Sequence, residues 1–353
     1  MARIASRHAE REKRLMKLVQ EYSASTSALP DATVALDPQG RILWFNEAAS
    51  RLLGLVTAKD VGQPLQNLFR NPEIPAFIAA ADYARTLQTN APGNPDLRLE
   101  IRLAPYGEGQ MLLLAQDITE RIRHERVRKD FVANVSHELR TPLTVIRGFI
   151  ENIQNDPRLP AEQLARPLEL MAQQAARMSQ LVEDLLLLAR LESQPAGNRM
   201  QEVDIAAMLQ LVADECRQLR EDVPEIATVV QSIRRIRGDA KQLHSALSNL
   251  VTNAVHHTPP DGLVEICWND DGDASLLDVR DTGEGIAPEH LPRLTERFYR
   301  VDTGRSRERG GTGLGLAIVK HILKRHAAEL EISSRPGEGS LFRCRFPASQ
   351  LVA

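Results

Sequence analysis

Ser136-His137-Glu138-Leu139-Arg140-Thr141-Pro142 is the stretch on which the reading of this chain turns. It lies inside a run whose apolar residues recur every three or four positions: Phe131, Val135, Leu139, Pro142 or Leu143, Ile146, Phe149 or Ile150, Ile153. That spacing predicts one stripe of a long helix. His137 stands two residues from Val135, about 200° around the helix, so it points away from the stripe towards solvent. Glu138 is adjacent and can reach the imidazole from the side; a carboxylate on one ring nitrogen fixes the tautomer and makes the other nitrogen the better nucleophile. Thr141, at i+4, shares the face of His137. Pro142 lacks a backbone donor and is expected to kink the helix, opening the nucleophile to a separate domain. An exposed helical histidine is by itself an ordinary surface residue. A metal site on His137 and Glu138 is disfavoured, because no second His lies at helical spacing.

A second stripe follows: Leu164, Leu168, Met171, Ala175, Met178, Val182, Leu185, Leu188. Asn155 to Pro160 reads as the turn between the two, so the pair forms a helical hairpin. Two helices cannot enclose such stripes, and pairing with a second copy into a four-helix bundle is the natural solution. Ser193 to Asn198 is Pro- and Gly-containing and marks a boundary.

Upstream, residues 23–118 read as a small α+β domain. Ala28–Asp37 and Arg41–Phe45 are expected strands around a turn, Asn46–Leu53 a helix stopped by Gly54, and Leu97–Leu103 and Met111–Gln116 two further strands beyond a loop at Ala91–Pro95. Residues 119–127 are a charged connecting helix. Residues 1–22 are basic with helical spacing and suit either a plain surface helix or a segment just inside a membrane. No apolar stretch approaches the roughly 18 residues of a membrane span.

Downstream, residues 200–348 mix helices (Val203–Leu219, Lys241–His256, Gly313–His326) with strands (Val264–Trp268, Ala274–Arg280, Glu329–Ser333, Ser340–Phe346), an α+β layer. Three elements there suit a nucleotide. Asn249 and Asn253, at i and i+4, offer amide oxygens to a hard cation or form a polar solvent face; the residues alone leave both open. Asp281-Thr282-Gly283-Glu284-Gly285 follows a strand, where a carboxylate can accept from an exocyclic amine and glycines let the backbone pass a flat base. Alone, it would be a turn. Gly311, Gly313 and Gly315 open a helix whose free amides favour phosphate. No βαβ unit surrounds them, which argues against a dinucleotide fold. Between the last two elements a stretch rich in arginine (Arg293, Arg297, Arg300, Arg305, Arg307, Arg309) reads as a lid or as a solvated charged loop.

Taken together these motifs resemble the sensor histidine kinase family. The His137 segment resembles its H box, Asn249–Asn253 the N box, Asp281–Gly285 the G1 box, Phe298-Tyr299-Arg300 the F box, and Gly311–Gly315 the G2 box, in order over roughly residues 125–347. Residues 23–118, ending in Gln116-Asp117-Ile118-Thr119-Glu120, resemble a PAS sensor domain. Ala246–Pro259 and Pro288–Val301 resemble the phosphate-regulon branch. The resemblance implies a multidomain chain: a PAS α+β domain, a dimerisation and phosphotransfer hairpin over 128–195 forming a homodimeric four-helix bundle, and an α/β-sandwich ATP-binding domain over 200–348. That domain is of the gyrase, chaperone and histidine-kinase type.

It implies ATP and Mg²⁺ as cofactors, with Asp281 on adenine, Asn253 and Asn249 on the metal, and His256, Gly283, Gly285, Arg300 and the Gly311–Gly315 run around the nucleotide. His137 would take the γ-phosphoryl group with Glu138 as base, then pass it to an aspartate of a cognate response regulator. Thr141 would position water for the reverse dephosphorylation. The full-length form would be anchored in the inner membrane, with this chain on its cytoplasmic face. Two positions depart from the pattern: His256 and His257 stand where the family often has Lys or Arg and then an aromatic, and Thr295 replaces the first F-box aromatic.

Other classes fit less well. Gyrase-like ATPases carry a Glu four residues before the metal Asn, where this chain has Asn249. A scaffold that binds ATP without phosphotransfer would not need every motif. A net charge of -3 gives no basic field for nucleic acid. Cys216, Cys267 and Cys344 are too scattered for a disulfide framework. None of the nine histidines and no cysteine falls within 23–118, which disfavours His-ligated haem or a cysteinyl-flavin in the PAS domain.

Overall fold

The computed structural model describes residues 30–69, 71–107, 109–155, 160–193, 200–218, 222–301 and 311–352. The basic N-terminal segment 1–22, the interhelical turn at 156–159 and Arg305, Arg307 and Arg309 lie outside the described residues. The chain divides at Asp130/Phe131 into two compact units.

In the first unit, β1 (Ala32–Leu36), β2 (Ile42–Phe45), β3 (Thr86–Ala91), β4 (Asn94–Tyr106) and β5 (Gln110–Asp117) form one antiparallel sheet in the order β2-β1-β5-β4-β3. Helices α1 (Glu47–Leu53) and α2 (Glu73–Ala80) contribute to its core. Asn46 caps α1 by accepting from Ala49 N, and Gly54 ends it at φ 73°, a conformation glycine adopts without strain. The expected loop at Ala91–Pro95 is instead a tight hairpin between β3 and β4. β3 has Leu87, Thr89 and Ala91 inward, too weak an apolar alternation to read in advance. Glu100 on β4 is buried and accepts from Arg102 and Arg121, each at 2.7 Å.

The connecting segment and the first hairpin helix are one element, α3 (Thr119–Asn155), 37 residues long and continuous through Pro142. The second hairpin helix is α4 (Ala161–Ser193). Among the described residues no helix is long and apolar enough to cross a membrane.

The C-terminal sheet has the order β11-β12-β10-β9-β7: Glu329–Arg335, Gly339–Phe346, Ala274–Asp281, Leu263–Asp271 and Glu225–Val230. β7 runs parallel to β9 and the other pairs are antiparallel. Helices α5 (Ile205–Arg217), α6 (Ala240–His257) and α7 (Gly315–Arg325) share its core with fully buried Trp268, Phe342 and Phe346. A smaller sheet, β13-β8-β6, joins Leu351–Val352, Arg235–Gly238 and Gln201–Val203. β6, β7 and β8 are not among the strands expected from the sequence; Val203, expected in a helix, is the inward residue of β6. Asp239 caps α6 by accepting from Lys241 N and Gln242 N. Its own N–H donates to Nε2 of fully buried His326, whose Nδ1 therefore carries the proton and bonds Ile322 O at 2.8 Å. Burial pushes the His326 pKa down, which keeps the ring neutral.

Candidate functional site

On α3, His137 and Thr141 are exposed while Glu138 is half-buried, as the apolar stripe requires. Thr141 Oγ1 donates to His137 O at 3.2 Å, the back-bond of a helical threonine. Glu138 does not bond the imidazole. Its Oε2 accepts from Arg177 Nη2 of α4 at 3.0 Å. The sequence reading had no signal for Arg177, since the contact joins residues 39 apart.

In the C-terminal domain one helix, α6, touches both glycine motifs. Asp281 ends β10, is 4% exposed, and accepts on Oδ1 from Gly283 N at 2.9 Å and Ser340 N at 3.2 Å. Burial pushes its carboxyl pKa up against those two bonds. The turn that follows is tightly held. A Cβ on Gly283 would stand 2.2 Å from His257 O, and one on Gly285, at φ 69°, 2.0 Å from Arg335 O. His257 Nδ1 pairs with Glu284 Oε1 at 2.9 Å beside this turn. His256, one residue earlier, is half-buried on the same helix.

At the middle of α6, Asn249 Nδ2 donates to Ser245 O at 2.8 Å. Its oxygen lies against Gly315, where an added Cβ would meet it at 2.5 Å. Asn253, one turn on, is half-buried. Two amide oxygens form a neutral, hard donor set that suits Mg²⁺ bound together with phosphates. Among the described residues no cluster of His, Cys, Asp and Glu could hold a metal by itself. Gly313, at φ 70°, carries the glycine loop against Phe298 and Arg300: an added Cβ would lie 2.9 Å from Phe298 Cα and 3.4 Å from Arg300 Cγ. Phe298 itself sits at φ 63° and donates its N–H to Gly313 O at 2.8 Å. Gly311, at the entry to the loop, has no close neighbour to an added Cβ among the described residues. Thr295, in the place of the first F-box aromatic, accepts from Lys320 Nζ at 3.2 Å, so a polar tie replaces ring packing there.

This domain is docked on the hairpin. Thr312 Oγ1 donates to Asp184 Oδ2, Arg297 pairs with Glu192, Arg325 donates to Leu191 O, and the Phe131 and Phe298 rings lie 5.8 Å apart. Leu181, Leu188 and Leu191 join the core of the C-terminal domain. Asp184 was overlooked in the sequence, where it follows Glu183 and looks like half of an ordinary pair of charged helix residues.

Comparison with known proteins matches three successive segments to family models. These are the PAS fold over residues 20–118, the His Kinase A (phospho-acceptor) domain over 127–194, and the histidine kinase-, DNA gyrase B- and HSP90-like ATPase over 238–350. The chain is 45% identical to the phosphate regulon sensor protein PhoR of Pseudomonas aeruginosa, over 96% of this chain and 77% of that protein. It is 32% identical to the phosphate regulon sensor protein PhoR of Haemophilus influenzae, over 96% of this chain and 79% of that one. Among solved structures, the Acinetobacter baumannii histidine kinase AdeS shares the fold at TM-score 0.50 and 24% identity, over 61% of this chain and 98% of that chain.

Proposed function

The chain belongs to the sensor histidine kinases, the family of the phosphate regulon sensor protein PhoR, and we propose that His137 is the residue it phosphorylates. One ring nitrogen of His137 attacks the γ-phosphorus of ATP. The new N–P bond forms as the bond to the β,γ-bridging oxygen breaks, ADP leaves, and the proton on the other ring nitrogen passes to Glu138. Asp281 accepts from the adenine amine. Asn249 and Asn253 hold Mg²⁺, which when bound neutralises charge on the phosphates. His256, Gly283, Gly285, Arg300 and the Gly311–Gly315 loop surround the nucleotide. The phosphoryl group then goes to an aspartate of a response regulator of the phosphate-regulon type, and Thr141 orients water for the reverse, phosphatase reaction. The working form is a homodimer through the hairpin, and the full-length protein is membrane-anchored.

The observation that supports this most is the convergence on α6: its His257 end abuts the Asp281 turn and its Asn249 abuts the glycine loop. Incubation with γ-labelled ATP tests it. Acid-labile, base-stable label is expected in the wild type and absent in H137Q. Label persisting in that variant, or steady phosphate release with no labelled protein, overturns the assignment.

A further inference from the structure

The Glu138–Arg177 pair differs from the other ion pairs of the hairpin. Arg147–Glu151 and Arg166–Glu169 lie within single helices, and all four side chains are more than half exposed. Such pairs contribute little. Glu138 and Arg177 are 22% and 17% exposed and tie α3 to α4. Half-burial removes most competition from water, so the carboxylate is held in one orientation.

That orientation has chemical meaning. Neighbouring residues on a helix diverge by about 100°, so Glu138 leans towards α4 while His137 faces solvent. Arg177 donates to Oε2, and Oε1 is the carboxylate's other acceptor atom. A base whose far oxygen is pinned by a third group is the arrangement that activated nucleophiles share: nucleophile, base, orienter. An unpinned glutamate would have to freeze its side-chain torsions each time it met the imidazole.

We propose that Arg177 is a positioning residue for phosphoryl transfer: it anchors Glu138 through Oε2 so that Oε1 takes the imidazole proton of His137. This rests on the reading of Glu138 as base. The bland alternative is a helix-to-helix tie that serves stability alone. The two differ in whether Arg177 acts through Glu138.

A double-mutant cycle on the full chain separates them. Initial autophosphorylation rates over a range of ATP are measured for wild type, R177M, R177K, E138Q and E138Q/R177M, with thermal unfolding of each. Losing the base is expected to cost about 100-fold or more in kcat. R177M is expected to cost about tenfold in kcat with KM for ATP unchanged, as for the loss of a supporting partner behind a reactive group. R177K should recover part of the rate. In the E138Q background R177M should cost nothing further. Equal losses in both backgrounds, or wild-type kcat in R177M, overturn the role of Arg177. Full activity of E138Q overturns the base reading instead, so the two failures are distinguishable. If R177M does not fold, R177K and E138Q/R177K complete the same cycle.

Discussion

Thr312 Oγ1 donates to Asp184 Oδ2 at 2.9 Å, joining the start of the glycine loop to the second hairpin helix across 128 residues of sequence. The other carboxylate oxygen of Asp184 accepts from Gln180 at 2.9 Å. A loop suited to phosphate thus meets an anion of its own chain. Nearby, Arg297 pairs with Glu192 and its guanidinium lies 5.3 Å from the centre of the Phe131 ring.

This contact should respond to pH. Burial pushes the Asp184 carboxyl above its ordinary value of 3.8. A carboxyl raised in the folded state stabilises fully below that ordinary value, and the contribution is lost as pH rises through the raised one. Docking should therefore tighten towards acid. D184N keeps a partner for Thr312 without a buried charge, and its docking should be flatter with pH; D184A should lose about 1 kcal/mol of docking energy. Cross-linking between cysteines placed on α4 and α7, followed from about pH 4 to pH 8, reads this. Identical slopes in wild type and D184N would refute it.

Nucleotide affinity should also fall with acid. Burial raises the Asp281 carboxyl, and a protonated Asp281 is a weaker acceptor for an adenine amine than the carboxylate. ATP binding measured by calorimetry should weaken as pH falls, beginning above the ordinary carboxyl value of 3.8. D281N should lose about tenfold or more in affinity at neutral pH, as for a charged hydrogen bond worth 1.5–3 kcal/mol. Unchanged binding in D281N would remove Asp281 from the adenine site.

Gly285→Ala should unfold the turn or shift it. The position is at φ 69°, and the added Cβ would lie 2.0 Å from a backbone oxygen. Strain and clash together should cost about 2 kcal/mol or more in denaturant midpoint experiments. Gly272→Ala makes the comparison, since it also has positive φ but open space around it. Equal losses at both would mean that backbone strain alone, not the Arg335 contact, sets the cost.

In the PAS domain, Arg102 first and then Arg121 hold the Glu100 carboxyl down at about 2, from 4.5. A lowered carboxyl stabilises above its ordinary value and loses that contribution as pH falls through about 2. The shift caps the effect at about 3 kcal/mol. Both arginines are about half exposed, so about 1–2 kcal/mol survives screening. E100Q should be destabilised by that amount at pH 7 and less so in acid, by urea unfolding. A difference independent of pH would point to packing rather than charge.

The glycine turns of the candidate nucleotide site were legible because each motif is local. Asp281 to Gly285 and Gly311 to Gly315 place glycines where the backbone passes close to another chain segment, and that demand is written in a few consecutive residues. The hairpin was legible from its 3.6-residue period. What stayed hidden depends on partners far away. Arg235–Gly238 has only Ile236 as an inward side chain of any size, and it becomes a strand because Gln201–Val203 and Leu351–Val352 meet it on either side. Arg177 and Asp184 lie on the flanks of an otherwise regular stripe, and nothing local tells which polar residue there reaches across to Glu138 or Thr312. The connecting segment runs into the hairpin without interruption, because Thr119–Asn155 holds no helix breaker strong enough to end it.

Pro142 is buried inside that unbroken helix, four residues after Glu138. With no N–H at Pro142, the Glu138 carbonyl lacks its helical partner, so the ladder has a missing rung beside His137. Opening this turn breaks one hydrogen bond fewer than opening any other turn of α3. Amide exchange should therefore run ahead here, and bending forces on the helix collect at this one turn. His137 rides on this weakened turn, so in the proposed role of phosphoryl carrier it would swing towards a donor or acceptor while the rods on either side stay whole.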